Sequence, residues 1–141
     1  MILMQTFDAT DIIFGRAASQ IAKKLINGEE INIVNSEKFI IVGNPKQIIQ
    51  RYLTKRGLKN KSTPEYSPKW SKIPHILVKR MVRGMLPMKS QRGRDALKRL
   101  MVYTGNPINA NVDLKVEKAD FDGVSKHTTI HELCRMMGYS G

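Results

Sequence analysis

The sequence predicts an α/β protein, a three-layer α/β/α sandwich, from the order and the length of its segments. Short runs of β-branched and aromatic residues alternate with longer segments whose apolar residues recur at helical spacing. This alternation is typical of helices that pack on both faces of a sheet. The chain has 141 residues, of which 41% are hydrophobic, so it is long enough to bury one core. We therefore expect residues 1–141 to form a single domain.

The first third of the chain predicts a strand, a helix and two further strands. Leu3 to Phe7 has the length and composition of a strand, and residues 15–27 carry an apolar helical stripe. Asn27-Gly28 ends this helix, because glycine adopts the left-handed conformation without strain. Residues 31–42 contain two strand-like runs joined by the connection 35–38, which is too short for a parallel crossover. Local geometry therefore predicts a hairpin over 31–42.

The middle of the chain predicts two helices on either side of an irregular loop. Asn44-Pro45 opens a helix that Gly57 ends, since Asn caps free amides and Pro suits the first helical position. Residues 58–74 contain several prolines and have no periodicity. Residues 74–87 form the clearest helix, with a cationic face opposite an apolar stripe. That stripe consists of Leu77, Val78, Met81, Val82 and Met85.

The last third of the chain alternates in the same way. Residues 91–100 predict a helix and 101–104 a strand. The apolar-polar alternation over 112–116 is typical of an edge strand. Residues 127–137 predict a final helix that Gly138 ends.

The positive charge is concentrated in one part of the chain. The net charge is +12 at pH 7, and the pI is about 10.0. Residues 46–99 hold sixteen Lys and Arg against two acids, Glu65 and Asp95, a net of +14, so the remainder of the chain is at −2. Like charges at this density repel one another unless a polyanion neutralises them. The pattern indicates nucleic acid or an anionic membrane surface as the partner.

Nucleic acid fits this pattern better than a membrane does. A membrane-surface helix needs a large exposed apolar face, whereas the stripe of the 74–87 helix is needed for the core. No apolar run approaches the roughly 18 residues of a membrane span. We expect the Lys and Arg side chains of 46–99 to contact phosphates. They are Lys46, Arg51, Lys55, Arg56, Lys59, Lys61, Lys69, Lys72, Lys79, Arg80, Arg83, Lys89, Arg92, Arg94, Lys98 and Arg99.

Two aromatic residues lie among the lysines of the loop 58–74. Tyr66 and Trp70 suit stacking on unpaired bases, and anchoring of the loop on the core is the alternative role for Trp70. Because the loop has charge and prolines but no packing pattern, we expect it to be mobile in the free protein and ordered on RNA.

Other kinds of site are weakly indicated. His127, His131 and Cys134 would share one helix face and could hold zinc with a fourth ligand. Without a Cys-x-x-Cys pair, we prefer a buried thiol beside two partly exposed imidazoles. A nucleic-acid enzyme needs an acid–base or metal cluster, and 46–99 offers only two carboxylates and His75. We therefore expect no catalysis, cofactor, metal or small-molecule substrate, and the single cysteine suits the reducing cytosol.

Four sequence blocks are distinctive as a set: DATDIIFGRAAS (8–19), INIVNSEKFIIVGNP (31–45), VRGMLPMKSQRGRDALKRLMVY (82–103) and TGNP (104–107). In content and order they resemble the L13 family of large-subunit ribosomal proteins. The resemblance implies an α/β/α fold with a central, mostly parallel sheet of four strands. We prefer this expectation to the hairpin over 31–42.

The resemblance also implies a function and partners. Members are structural constituents of the large ribosomal subunit that bind ribosomal RNA, support subunit assembly and contact neighbouring ribosomal proteins in the cytoplasm. Arg83 and Gly93-Arg94 match motif positions of the family, and both arginines are expected near RNA. Residues 108–141 depart from the bacterial pattern and look like the archaeal and eukaryotic branch, without the long eukaryotic extension. A free RNA-binding regulator of translation is the alternative function.

Overall fold

Helices and strands alternate along the chain, as the sequence predicts. A computed structural model describes residues 4–109 and 111–140, and Leu3 of the predicted first strand lies outside them. The elements in chain order are β1 (Met4–Asp8), α1 (Phe14–Ile26), β2 (Glu30–Val34), a 3-10 turn (Ser36–Lys38), β3 (Ile40–Val42), α2 (Pro45–Gly57), a second 3-10 turn (Pro64–Tyr66), α3 (Pro74–Arg83), α4 (Gln91–Lys98), β4 (Leu100–Val102), β5 (His127–Thr129) and α5 (Ile130–Met136). No described helix is both long and apolar enough to cross a membrane.

Three strands form a parallel sheet in the order β1-β2-β4. The register aligns Phe7 of β1, Ile33 of β2 and Val102 of β4, and it places Ile31 beside Leu100. All five side chains are buried in the core. Helix α1 contacts β2, and helices α3 and α4 contact β4. The α/β class and a parallel sheet are therefore confirmed.

Strand β3 does not join this sheet. It pairs antiparallel with β5, so that Ile40 lies opposite Thr129 and Val42 opposite His127. The predicted hairpin over 31–42 is wrong, and the four-stranded sheet is not confirmed. The physical reason is that β1 and β4 occupy both edges of β2, while Asn35, at a φ of 55°, starts the turn that leads the chain away. The three-layer arrangement stays a prediction.

Residues 111–140 complete the core. Leu114, Ala119 and Leu133 belong to the same buried cluster as the residues of α1 and β2. The alternating segment 112–116 does not form the predicted edge strand. Instead, the amides of Asp113 and Leu114 both donate to the carbonyl of Thr6, at 3.1 and 3.0 Å, and so contact β1 at a single point.

The last helix begins later than predicted. His127 lies on β5, and α5 starts at Ile130. Thr129 and Glu132 form a capping box, in which the Glu132 amide donates to Thr129 Oγ1 at 3.2 Å. This cap sets the start of the helix three residues after the predicted position.

Two helices of the basic region, α2 and α4, begin with a side-chain cap. The Asn44 side chain accepts from the Lys46 amide at 3.1 Å and caps α2, as predicted. Ser90 caps α4: its hydroxyl accepts from the Gly93 amide at 3.3 Å and donates to the Pro87 carbonyl at 2.9 Å. This turn is so close to the helix that a Cβ on Gly93 would lie 2.1 Å from the Pro87 oxygen.

Candidate nucleic-acid interface

The basic side chains of residues 46–99 have no acidic partner in the part of the chain that the structure describes. There, the only ion pair joins Lys24 to Glu29, at 3.7 Å. One of the two acids of the basic region, Asp95, accepts instead from Gln91 Nε2 at 2.8 Å. The positive charge of this region is therefore not neutralised internally and remains available to an external anion.

The predicted RNA-binding residues differ in their exposure. The exposed ones are Lys46, Arg51, Lys59, Lys61, Tyr66, Lys69, Lys72, Arg83, Lys89, Arg92, Arg94 and Lys98. The half-buried ones are Lys55, Arg56, Trp70, Lys79, Arg80 and Arg99. Phosphate oxygens can reach the exposed cations without any rearrangement of the protein.

Four of the half-buried cations donate to backbone carbonyls: Arg56, Lys79, Arg80 and Arg99. Lys79 Nζ donates to the Leu100 carbonyl at 2.9 Å and links α3 to β4. Arg99, which is expected from the sequence to contact a phosphate, donates to the Leu25 carbonyl and links the end of α4 to α1. These contacts indicate a structural role in addition to a positive charge. The sequence pattern does not distinguish them from the exposed cations, because their partners are distant along the chain.

Trp70 is held between α2 and α3. Its ring meets that of Tyr52 edge-on, with centroids 6.0 Å apart. Lys55 Nζ and the guanidinium of Arg80 lie over the Trp70 ring, at 4.6 and 4.2 Å from its centroid. Arg56 donates to the backbone carbonyl of Trp70. The end of the loop 58–74 is therefore anchored on the body of the protein.

The other aromatic residue of the loop is free of such contacts among the described residues. Tyr66 is 76% exposed. It is the last residue of the 3-10 turn Pro64–Tyr66, which no side chain caps. Of the two aromatic candidates, Tyr66 is thus available for stacking on a base, whereas Trp70 contacts cations over its ring. The sequence does not identify Tyr52 as a contact of Trp70. Burial raises the pKa of Tyr52, an effect that Arg51 opposes.

A groove with a volume of about 400 Å³ runs along α3. We call it the basic groove; the residues that line it are Lys69, Ser71, His75, Ile76, Lys79, Arg80, Arg83, Leu97, Met101 and Val102. None of these is acidic. His75 Nδ1 lies 3.2 Å from Thr104 Oγ1 at one end. The groove brings together four of the predicted cations, from the loop and from α3, and its concave shape fits a phosphate backbone.

The three candidate zinc ligands do not share a helix face. His127 lies on β5, where its ring is 4.4 Å from that of Phe121 and its Nδ1 is 3.0 Å from the Ser125 carbonyl oxygen. Cys134 is fully buried, and burial raises the pKa of its thiol to about 12. Within the described residues, no group of three His, Cys, Asp or Glu is placed to hold a metal ion.

The family profile of ribosomal protein L13 matches residues 3–109. The chain belongs to the ribosomal protein L13 family. It is similar to the large ribosomal subunit protein uL13 of Methanocaldococcus jannaschii, at 41% identity over 96% of this chain and 98% of that protein. The protein of the same name from Archaeoglobus fulgidus is 43% identical over 95% of this chain and 87% of its own length. That of Aeropyrum pernix is 36% identical over 95% and 89%.

These L13 relatives are all archaeal, in agreement with the branch that the C-terminal segment predicts. Their alignments cover almost the whole chain, so they extend beyond the profile match and into residues 108–141. In the structure that segment contributes Leu133 and Cys134 to the core. It is thus an integral part of this L13 protein.

Proposed function

We propose that this L13 protein is a structural constituent of the large ribosomal subunit that binds ribosomal RNA and supports subunit assembly. The observation that carries the proposal is the basic region, whose cations lack acidic partners among the described residues. Membership of a ribosomal protein family supports a structural role and not a catalytic one. The relatives are named as proteins of the large subunit.

The proposal extends to partners, location and domain organisation. Large-subunit ribosomal RNA is the main partner, neighbouring ribosomal proteins are further partners, and the site of action is the cytoplasmic ribosome. We treat residues 1–141 as one domain with its RNA-binding region at 46–99 and a branch-specific segment at 108–141. The single buried cluster, which extends from Phe7 to Met137, supports this division.

Binding would act through phosphate contacts and counterion release. Each Lys or Arg that meets a phosphate releases counterions condensed on the RNA. If about half of the sixteen cations do so, the slope of log K against log salt would be roughly −6, at about 0.7 per contact. The carbonyl contacts of four half-buried cations link the segments that carry the exposed cations to the rest of the fold. The loop 58–74 would become more ordered when its exposed part meets RNA.

The test is filter binding of the purified chain to large-subunit ribosomal RNA at increasing potassium chloride. We expect the steep slope given above and weaker binding to an unrelated RNA of similar length. Replacing Arg83 and Arg94 with Gln should reduce the slope by about 1.4, two contacts at about 0.7 each. The matched control replaces Lys115 and Lys126, which are exposed but lie outside the basic region, and should leave the slope unchanged.

Sedimentation distinguishes the structural role from the alternative of a free regulator. A structural constituent should remain with the large subunit through a high-salt wash of purified ribosomes. A regulator should be released and recovered with other RNAs. Weak binding to ribosomal RNA with little response to potassium chloride would overturn the proposal in both forms.

A further inference from the structure

A second concave site lies beside Trp70 and shares Arg80 with the basic groove. It has a volume of about 500 Å³ and is enclosed by the start of α1, the strand β3, and the helices α2 and α3. Apolar residues form most of its wall, and two of them, Val42 and Met85, are 45% and 42% exposed. Apolar cavities with a few polar groups at the rim are typical ligand sites. We call this site the Trp70 cavity.

The polar rim of the Trp70 cavity is cationic. Lys55 and Arg80 line it and lie over the Trp70 ring. None of the described residues that line the cavity is acidic. The site therefore combines an apolar interior with an anion-binding edge. A nucleotide has the complementary structure, because the flat faces of its base pack on apolar groups whereas its phosphate is charged.

The edge of β3 adds hydrogen-bonding groups to the wall. The Gly43 amide donates to the Lys126 carbonyl at 2.8 Å, and the Ile130 amide donates to the Phe39 carbonyl at 3.0 Å. In an antiparallel pair, hydrogen-bonded and non-bonded positions alternate. The amide and carbonyl of Val42, a residue that lines the cavity, are therefore turned away from β5. A donor and an acceptor at this position can bond the edge of a base.

We propose that the Trp70 cavity receives one unpaired nucleobase of ribosomal RNA, with Lys55 and Arg80 contacting the adjoining phosphate. The inference rests on the proposed function, since it names the part of the RNA that one site takes. A base inside a duplex is stacked and cannot enter a cavity, whereas a base from a loop or bulge can. Trp70 acts as a positioning residue that keeps the two cations at the rim.

The chain provides its own probe of this site, because Trp70 is its only tryptophan. The emission of Trp70 is recorded while wild-type protein is titrated with a single-stranded adenosine octanucleotide. A blunt RNA duplex of the same length and adenosine monophosphate serve as comparisons. We expect a saturable change in emission with the single strand and little change with the duplex, although both bind. The monophosphate should act only at much higher concentration, since it lacks the neighbouring phosphates.

A blocking variant and its matched control test the cavity directly. Gly15 lines the cavity, and a Cβ added there meets nothing within 4 Å. Gly15→Leu would thus occupy open space in the cavity wall without changing any charge. Gly57→Leu is the control. A Cβ added at Gly57 also meets nothing within 4 Å, and Gly57 lies in a helix but does not line the cavity. We expect Gly15→Leu to weaken single-strand binding about tenfold, to leave duplex binding unchanged and to abolish the emission change.

The outcomes separate this inference from the proposed function. If ribosomal RNA binds with a steep salt slope but the single strand leaves Trp70 emission unchanged, the inference is wrong and the proposed function stands. If Gly15→Leu and Gly57→Leu bind the single strand equally well, the inference is likewise wrong and the proposed function stands. Saturation by the free monophosphate at equal concentration would overturn the assignment to RNA. If neither ribosomal RNA nor the single strand binds, the proposed function itself fails.

Discussion

The basic region 46–99 and the C-terminal segment 111–140 both supply residues to the buried core, but they contribute differently to the molecule. In the C-terminal segment, the numbers of acidic and basic residues differ by only one. Its residues Leu114, Ile130 and Leu133 are buried in the core. The basic region exposes most of its predicted RNA-binding residues. Its charges meet backbone carbonyls and aromatic rings.

The difference indicates a division between stability and binding. Where side chains are apolar and buried, their removal should lower the free energy of unfolding. Where cations are exposed and lack acidic partners, their removal should weaken RNA binding without lowering the free energy of unfolding, because it relieves repulsion. The half-buried cations lie between these cases. Substitutions in each group therefore test whether stability and RNA binding depend on different residues.

The largest expected effect is on the C-terminal side. Leu133→Ala removes a fully buried side chain of α5, and we expect it to lower the free energy of unfolding by about 4 kcal/mol. Urea denaturation followed by circular dichroism measures the change. The control, Met136→Ala on the same helix, removes a side chain that is 59% exposed and should stay within about 0.5 kcal/mol of wild type. Equal effects of the two substitutions would contradict the assignment of α5 to the core.

The next effect lies inside the basic region and tests whether that region is purely a binding surface. A Cβ on Gly93 would lie 2.1 Å from the Pro87 oxygen, which belongs to the backbone and cannot rotate away. We expect Gly93→Ala to lower the free energy of unfolding by about 2 kcal/mol. The same substitution at Gly57, where nothing lies within 4 Å, should be neutral or stabilising. A stable Gly93→Ala variant would show that the Pro87 turn is free to move.

Arg94→Ala should affect binding and leave stability almost unchanged. Arg94 is exposed, and its guanidinium donates to groups nearby in the chain, Gln91 Oε1 at 3.1 Å and the carbonyls of Met88 and Lys89 at 3.4 Å. Loss of one phosphate contact should weaken RNA binding about fourfold at roughly 0.15 M salt. Arg99→Ala is the contrasting variant, because Arg99 is half-buried and bonded to α1, and it should lower the midpoint of thermal unfolding. If Arg94→Ala unfolds the domain, the role of this side chain is structural.

Local patterns in the sequence predict the helices better than the sheets. The stripes of α1 and α3 and the cap at Asn44 depend on residues within a few positions, so spacing and capping chemistry identify them. Strand β3 has three residues, and most of the chain separates it in sequence from its partner β5. No local signal specifies that pairing. Met85 illustrates the same limit, because it lies on the predicted apolar stripe of α3 but is exposed at the Trp70 cavity.

For the candidate interface, too, the sequence predicts what depends on neighbouring residues but not the contacts between residues far apart in the chain. Charge counting locates the basic region, because like charges need an external partner whatever the fold. It does not separate exposed from half-buried cations, since the carbonyl that holds Arg99 belongs to Leu25. Nor does it reveal that Trp70 meets Tyr52 and Arg80, two residues of different helices. Tyr66 and Trp70 therefore look equivalent in the sequence and differ in the structure.

The smallest expected effect is on stability, and it depends on the protonation of Asp8, a carboxylate at the end of β1. Burial raises the pKa of Asp8, but hydrogen bonds from the amide and hydroxyl of Thr10 and from Asn35, with the charge of Lys38, outweigh it and hold the pKa below its ordinary value. A depressed pKa in the folded state means that the charged form stabilises the fold above the unfolded pKa, near 4. That contribution is lost as the pH falls through the lower, folded value.

Asp8→Asn should therefore lower stability slightly at pH 7 and make no difference at the acid end of the titration. Denaturant unfolding at several pH values, for wild type and variant, measures the difference between the two curves. The effect should be small because Asp8 is only partly buried and solvent screens its interactions. RNA binding at pH 7 should be unaffected, since Asp8 lies outside the basic region. A difference that grew toward low pH would mean that Asp8 is protonated in the folded protein, which would reverse the sign argued from its hydrogen bonds.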